Sequence, residues 1–203
     1  MNLQEADLRA AFLGLGLFGD DHLGAMDQMG MGLLLAPAGL MTLANVGLLR
    51  ILREDPDKRS EFERALCSSA QWAAYVTFLD VMSSAEWAAL AAPSTRHVDD
   101  RLAALMMVIH CWGWGRMEAV TLDEVQQTLT FEVHHAQQAQ AWRMHAGPAL
   151  HPVCFLWAGI AGGLLDILLG QRYGDFEGRE VQCAACRGGV ACHFVAARRQ
   201  MSV

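Results

Sequence analysis

The chain has 203 residues, which suits one domain, or one domain with a helical extension, and allows a substantial buried core. Hydrophobic residues make up 53% of it, charged residues 18%, and the mean hydropathy is +0.20. The formal net charge is −7 and no run of basic residues occurs, which argues against nucleic acid as a direct partner, because phosphate binding needs clustered Lys and Arg.

The first hundred residues are predicted to be mainly helical. The pattern of apolar residues predicts an amphipathic helix over 3–13, an apolar helix over 28–53 that is interrupted near Pro37, and a helix over 60–82. Ser84 is expected to cap a short helix that follows it.

The apolar stretch over 28–49 contains no charged residue and is long enough to span a bilayer, which needs about 20 apolar residues. Pro37, Asn45 and four glycines interrupt it, and no cluster of Lys or Arg flanks it. We therefore interpret this segment as a buried helix or as the interface of a homodimer. Membrane association is the alternative and is not favoured.

The second half alternates helices and strands. Two helices are predicted, over 101–111 and 153–169, and small residues in the second permit close approach of other backbone. Four strands are predicted, at 116–122, 128–134, 178–183 and 191–197. The first two form a hairpin, and a cysteine-bearing loop joins the last two. The stretch 91–100 is the predicted boundary between the two halves.

Four of the six cysteines lie in the last quarter of the chain, and three of them fall within ten residues, at Cys183, Cys186 and Cys192. Glu180 precedes Cys183 by three residues. Thiolates and a carboxylate this close together in a cysteine-poor chain indicate a metal site rather than buried free thiols, and zinc is the expected metal. Four protein ligands would fill tetrahedral zinc, so the expected role is structural rather than catalytic.

Several motifs of the second half resemble one known family. The turn Gly113-Trp114-Gly115, the strand pair, the segment PVCFLWAGIAGGLLDILLG and the ending E-V-Q-C…C-H-F are similar to the 4-vinyl-reductase-like, or hydrocarbon-binding, domain. That domain occurs in a bacteriochlorophyll-biosynthesis protein, in stand-alone hydrocarbon-binding proteins and as the sensory domain of phenol- and xylene-responsive transcription activators. The resemblance covers roughly residues 105–197.

The resemblance implies an α+β fold like that of the small subunits of the TRAPP tethering complex. In such a fold, helices pack on a twisted antiparallel sheet, usually as a dimer, and enclose an apolar cavity. In the aromatic-sensing relatives a zinc ion beside that cavity is held by three cysteines and a glutamate. The matching positions in this chain are Cys154, Glu180, Cys183 and Cys192.

The loop departs from the family pattern at Cys186, which makes residues 183–186 a CxxC motif followed by Arg187 and two glycines. This arrangement resembles a zinc knuckle, so Cys186 is a rival to Glu180 as the fourth ligand. The four cysteines of this region also suit an iron–sulfur cluster, which is the alternative cofactor.

A group of aromatic and histidine side chains is predicted to line the ligand cavity that the resemblance implies. Aromatic rings supply apolar area, and a histidine can orient a polar group of a ligand. The alternative for each residue is an ordinary place in the core. The predicted set is His110, Trp112, Trp114, Phe131, His134 and Trp157.

These observations predict a helical N-terminal region, 1–100, for packing and dimerisation, and a 4-vinyl-reductase-like ligand-binding domain with a metal site, 101–203. The protein would hold a hydrophobic or aromatic molecule beside a structural zinc, as a sensor, carrier or chaperone. One alternative is an accessory protein or enzyme of tetrapyrrole (bacteriochlorophyll) biosynthesis, and another is a scaffold that binds a partner.

The sequence leaves open whether the protein is an enzyme. A protein without catalytic activity is favoured, since no nucleophile, carboxylate pair or triad stands out. The first residues, MNLQEADLRAAF, lack the basic region of a secretory signal. We therefore expect a cytoplasmic location, where cysteines stay reduced and can bind metal.

Overall fold

The computed structural model describes residues 40–200 and, before them, 7, 10–11, 14, 18–20, 25–29 and 31–33. Most of the helix predicted over 3–13 lies outside the described residues. Within the described part, seven helices and two antiparallel sheets are present, so the predicted α+β class is confirmed.

The smaller sheet precedes the first long helix. Its strands run in the order β1 (Phe18–Asp20), β2 (Ala25–Gln28) and β3 (Met31–Leu33). The larger sheet has the order β4-β5-β7-β6, and its strands are β4 (Arg116–Asp123), β5 (Thr128–His134), β6 (Phe176–Gln182) and β7 (Ala191–Arg198).

The helices connect and cover these strands. They are α1 (Leu40–Ile51), α2 (Pro56–Ser83), α3 (Ala85–Leu90), α4 (Val98–Cys111), α5 (Gln137–Ala146), α6 (Phe155–Leu168) and α7 (Ala184–Arg187). The chain packs as two units, one made of residues up to 36 together with 76–114, the other of 37–75 and 115–203. The larger sheet lies wholly in the second unit. The division predicted near residue 100 stays a prediction.

The prediction of one apolar helix over 28–53 is wrong. The structure has strands β2 and β3 at its beginning, with Met29 at φ 55° after β2, and helix α1 starts only at Leu40. Glycine costs about 1 kcal/mol inside a helix and proline about 3, so Gly30, Gly32 and Pro37 oppose a continuous helix there.

Helix α1 exposes the apolar side chains Leu43, Leu48 and Ile51. The expected homodimer through this region stays a prediction. No helix among the described residues has both the length and the apolar character needed to cross a bilayer.

The remaining predicted elements of the chain are present with small changes of boundary. Helix α2 is longer than predicted because it starts at Pro56, a residue suited to the first helical turn. The predicted cap at Ser84 is confirmed, since its Oγ accepts a hydrogen bond from Trp87 N at 3.1 Å. Helices α5 and α7 were not predicted.

Within the second unit, helix α6 lies directly against the first part of α2 and against β6. A Cβ added at Gly159 would overlap the carbonyl oxygen of Cys67, and one added at Gly163 would lie 2.7 Å from that of Gln71. On the strand side, a Cβ at Gly178 would overlap the carbonyl oxygen of Ala158. Glycine at these three positions therefore lets the backbones touch.

A buried polar network fixes the other end of the same contact. Asp166 is fully buried, and its carboxylate accepts hydrogen bonds from Gln71 Nε2 at 2.7 Å, Phe176 N at 3.0 Å and Gly174 N at 3.0 Å. Gln71 Nε2 also donates to the carbonyl oxygen of Phe176 at 2.8 Å. This network joins α6, α2 and the start of β6 through charge-assisted hydrogen bonds.

We predict that Gly159→Ala lowers the free energy of unfolding by about 1–3 kcal/mol, because the new methyl group would force α6 away from α2. Gly47→Ala in α1 is the matched control, because a Cβ there meets no atom within 4 Å. Alanine is favoured over glycine in a helix by about 0.5–1 kcal/mol, so this variant should be slightly more stable than the wild type. Urea unfolding measures both, and an equal gain in the two variants would contradict the close contact.

Candidate functional site: a buried cysteine–glutamate cluster

Four side chains of the second unit meet between α6, β6, α7 and β7. Cys154 immediately precedes α6, Glu180 lies in β6, Cys183 precedes α7, and Cys192 lies in β7. One ligand atom from each residue lies within 4.8 Å of all the others, and the Sγ atoms of Cys154 and Cys192 are 3.7 Å apart. The structure therefore brings together the four positions that the family resemblance indicated.

The carboxylate of Glu180 is incompletely satisfied by the protein. Its Oε2 accepts a hydrogen bond from Cys154 N at 2.9 Å, whereas its buried Oε1 has no hydrogen-bonding partner among the described residues. Burial, followed by the negative charge of Cys183, raises the pKa of Glu180 to about 7. A buried acceptor without a partner costs about 1–3 kcal/mol, and a cation in the cluster would remove that cost.

The three thiols are buried, and those of Cys154 and Cys192 form a hydrogen bond. Hydrogen bonds from Cys154 and then Cys192 lower the pKa of Cys183 strongly, while donation to Cys183 and Cys192 raises that of Cys154. Ala184 N donates to Cys192 Sγ at 3.2 Å. In the absence of a cation, these directions favour one thiolate, at Cys183, with the other thiols as donors. A cation would allow all three to ionise.

This donor set fits a metal ion. Three sulfurs and one oxygen, all supplied by the protein, make a closed set of the kind that structural zinc sites use. The structure thus supports a group that can hold a metal ion, as the spacing of the cysteines predicted.

Cys186 lies outside the group of four, although it is close to it. It is half-buried, and its backbone N donates to Cys183 O at 3.1 Å within the turn that starts α7. Burial and then the charge of Cys183 raise its pKa to about 11. The ligand set with Cys186 in place of Glu180, and the iron–sulfur alternative that uses Cys186, stay predictions.

A groove of about 670 Å³ opens beside the cluster, within the second unit. Its wall includes Cys154 and Glu180 of the cluster, together with Cys67 of α2, Gly159 of α6 and Gly178 of β6. The volume lies in the range of small-molecule pockets. Sequence reasoning missed this groove because four separated segments of the chain form it; the only signal in the sequence was the small residues that its wall contains.

The predicted ligand residues of the second unit divide between the two faces of the sheet. Phe131 and Trp157 contact each other with ring centroids 6.1 Å apart, and Phe194, which the sequence reasoning missed, lies 5.3 Å from Phe131. His134 lies on the opposite face, where its Nε2 is 3.1 Å from a carboxylate oxygen of Glu118. The alternating buried positions of β5 place these side chains on different sides.

The predicted ligand residues of the first unit lie at the end of α4. The ring of Trp114 is 5.4 Å from that of Trp112 and 6.1 Å from that of Phe78, and His110 occupies the last turn of α4. The role of these side chains in ligand binding stays a prediction.

Comparisons with solved structures identify the fold. The chain is similar to the phenol-responsive sensory domain of the transcription activator PoxR, solved with phenol, over 98% of this chain and 92% of that one, with a TM-score of 0.66 and 16% identity. The chain therefore shares the fold of that domain. At such low identity this similarity establishes the fold alone.

A second similar structure is the trafficking protein particle complex subunit 3 from Naegleria fowleri, covalently bound to palmitic acid. It matches over 80% of this chain and 95% of that one, with a TM-score of 0.51 and 12% identity. This match agrees with the TRAPP-like architecture expected from the sequence. No family model and no curated protein sequence matches the chain.

The raised pKa of Glu180 predicts how the metal-stripped protein responds to pH. The folded protein keeps a proton on this group up to about pH 7, whereas the unfolded chain releases it near 4.5. The contribution of the Glu180 proton to the free energy of unfolding is therefore complete below the pKa of the unfolded chain, and it is lost as the pH rises through 7.

We expect chelator-treated wild type to lose roughly 2–3 kcal/mol of stability between pH 4 and 8 relative to Glu180→Gln, which carries no charge. Urea unfolding of both proteins at a series of pH values measures the difference. Parallel pH profiles of the two proteins would show that the Glu180 proton is not linked to folding.

Proposed function

We propose that the chain is a small-molecule-binding sensor module that holds a hydrophobic or aromatic ligand in an apolar cavity next to a structural zinc. The observation that carries this proposal is the similarity to a phenol-responsive sensory domain over nearly the full length of both chains. Reduced thiols favour the cytoplasm as its location, and the apolar face of α1 favours a homodimer.

The sheet register supports a ligand beside the metal. Phe131 pairs with Phe194 and Val133 pairs with Cys192, so the aromatic contact lies two residues from a cysteine of the cluster. Because alternate residues of a strand share a face, Phe194 and Cys192 are on the same side of β7. A molecule that contacts these rings would therefore sit next to the metal centre.

The metal would be held by Cys154, Glu180, Cys183 and Cys192. When bound, it would supply a cross-link between the start of α6, the end of β6 and the start of β7. Its role in the proposal is to hold the wall of the binding site in place, because a closed set of four protein ligands leaves no open position on a tetrahedral ion.

We predict that phenols or other aromatic molecules quench the tryptophan fluorescence saturably, with a micromolar dissociation constant, equivalent to about −8 kcal/mol. Trp157→Phe should weaken binding severalfold, because it removes ring area beside Phe131 and Phe194, and should leave the metal content intact. Trp72→Phe is the matched control, because Trp72 is 52% exposed and packs on Tyr75 and Tyr173 instead.

Parallel titrations with phenols, longer hydrocarbons and porphyrin precursors distinguish the ligand classes. Saturable binding of phenols supports the sensor proposal. Binding of porphyrin precursors alone would instead support a role in tetrapyrrole biosynthesis. Failure of all three classes to bind would overturn the ligand-binding proposal and favour a scaffold.

We predict that protein purified without added metal contains about one zinc per chain. Cys183→Ala should lose the zinc and unfold at a lower temperature, because structural zinc contributes directly to folding. Cys186→Ser, in the same loop, is the matched control and should keep the zinc. Elemental analysis and thermal unfolding measure both effects. Loss of zinc from Cys186→Ser with retention in Glu180→Gln, or a brown iron–sulfur absorbance, would contradict this ligand set.

A further inference from the structure

The groove between α2 and β6 carries positive charge that the proposed function does not use. Its walls are one side of α2, the start of α6 and residues 177–180 of β6, which is an edge strand of the larger sheet. The α2 residues of the wall recur every three or four positions, as expected for one side of a helix: Ser60, Glu63, Arg64, Cys67, Ser68 and Gln71. All of these segments belong to the second unit.

The three glutamates of the wall are already engaged with other groups. Glu63 Oε1 accepts a hydrogen bond from Arg59 Nε at 2.8 Å, and a carboxylate oxygen of Glu177 lies 3.7 Å from Arg199 Nε. Glu180 belongs to the buried cluster with three cysteines, here called the cysteine centre. Its Oε1 is buried, and its Oε2 accepts a hydrogen bond from a backbone N–H.

Two arginines of the wall remain without a carboxylate among the described residues. Arg64 Nη1 donates to a hydroxyl group, Ser60 Oγ, at 2.8 Å, and the side chain of Arg179 has no hydrogen bond or ion pair within the described part of the chain. Both are exposed. The groove thus has unpaired positive charge in a chain whose formal net charge is −7. Guanidinium groups suit a carboxylate, because their parallel N–H donors match its two oxygens.

Another part of the wall is apolar. It contains Phe155, Ala158 and Gly159 of α6, together with Cys67 of α2. Burial raises the pKa of Cys67 to about 11, so this thiol is uncharged and adds apolar surface. An apolar wall combined with a few charged groups is the lining expected for a small amphipathic ligand.

We propose that this groove is a second ligand site, which binds a small organic acid. Its carboxylate is held between Arg64 of α2 and Arg179 of β6, and its apolar body lies against Phe155 and Ala158. A single negative charge fits this lining better than the double charge of a phosphate, because the glutamates of the same wall repel additional negative charge.

The groove is separate from the aromatic cavity of the proposed function. Phe131, Trp157 and Phe194 are absent from its wall. A phenol is neutral at pH 7 and gains little from the arginines, whereas an organic acid is ionised. The proposal therefore goes beyond the sensor function, and it holds whether or not the cysteine centre contains a metal ion.

The test is a calorimetric titration of the purified protein with 4-phenylbutyrate, an organic acid with an apolar body. The wild type should bind one molecule per chain with a submillimolar dissociation constant. The neutral 4-phenylbutyramide should bind at least about tenfold more weakly, because it lacks the charge that the arginines attract. Inorganic phosphate should also bind more weakly than the acid, because it has no apolar body.

Two variants test the arginines directly. Arg64→Gln and Arg179→Gln should each weaken the binding of 4-phenylbutyrate at least about fivefold and leave the binding of the amide unchanged. Arg172→Gln is the matched control, since Arg172 is an exposed arginine of the same unit that does not line the groove. Thermal unfolding shows whether each variant keeps its fold, and the comparison of acid with amide on the wild type needs no variant.

Four results would overturn the proposal. The first is equal binding of the acid and the amide by the wild type, and the second is an equal loss of affinity in Arg172→Gln. The third is tighter binding of inorganic phosphate than of the acid. The fourth is displacement of the acid by phenol with unchanged affinity in both groove variants, because the acid would then occupy the aromatic cavity. Phenol binding itself requires neither arginine, so each of these results leaves the sensor function to its own test.

Discussion

The second unit depends on a backbone contact that only glycine permits. Helix α6 touches α2 at Gly159 and Gly163 and touches β6 at Gly178. This contact brings the residue before the helix, Cys154, to the carboxylate of Glu180, which lies two positions beyond Gly178 in the strand. The geometry of the cysteine centre thus depends on how closely the backbones of α2, α6 and β6 approach one another. The side chains of the centre alone do not determine that distance.

The sequence was most informative where periodicity is local. Strand β5 was predicted correctly because Leu129, Phe131 and Val133 alternate with polar residues, and that pattern identifies both the strand and its buried face. The prediction of a helix over 28–53 was wrong because apolar composition alone does not distinguish a helix from short strands separated by glycines. Helix α5 is rich in glutamine and carries little apolar periodicity, so its stability comes from tertiary contacts that the sequence does not display.

The candidate site was predictable in part for a chemical reason. Clustered cysteines indicate a metal in any fold, but spacing along the chain does not show which way a side chain points. Glu180 rather than Cys186 lies in the group because β6 turns alternate residues toward α6. The groove was unpredictable for the same reason, as was the contact between Glu132 and His193 on the face of the sheet opposite Phe131. Glu132 and His193 are far apart in sequence and meet only through the pairing of β5 with β7.

Strand β7 presents a thiol and an imidazole at consecutive positions, and this has a consequence for folding. A shift of the β5–β7 pairing by one residue would turn Cys192 toward solvent and His193 toward the helices. Such a misaligned sheet could not assemble three sulfurs and a carboxylate around one ion. An ion held by these four residues would therefore stabilise the native alignment of β5 and β7 and no shifted one.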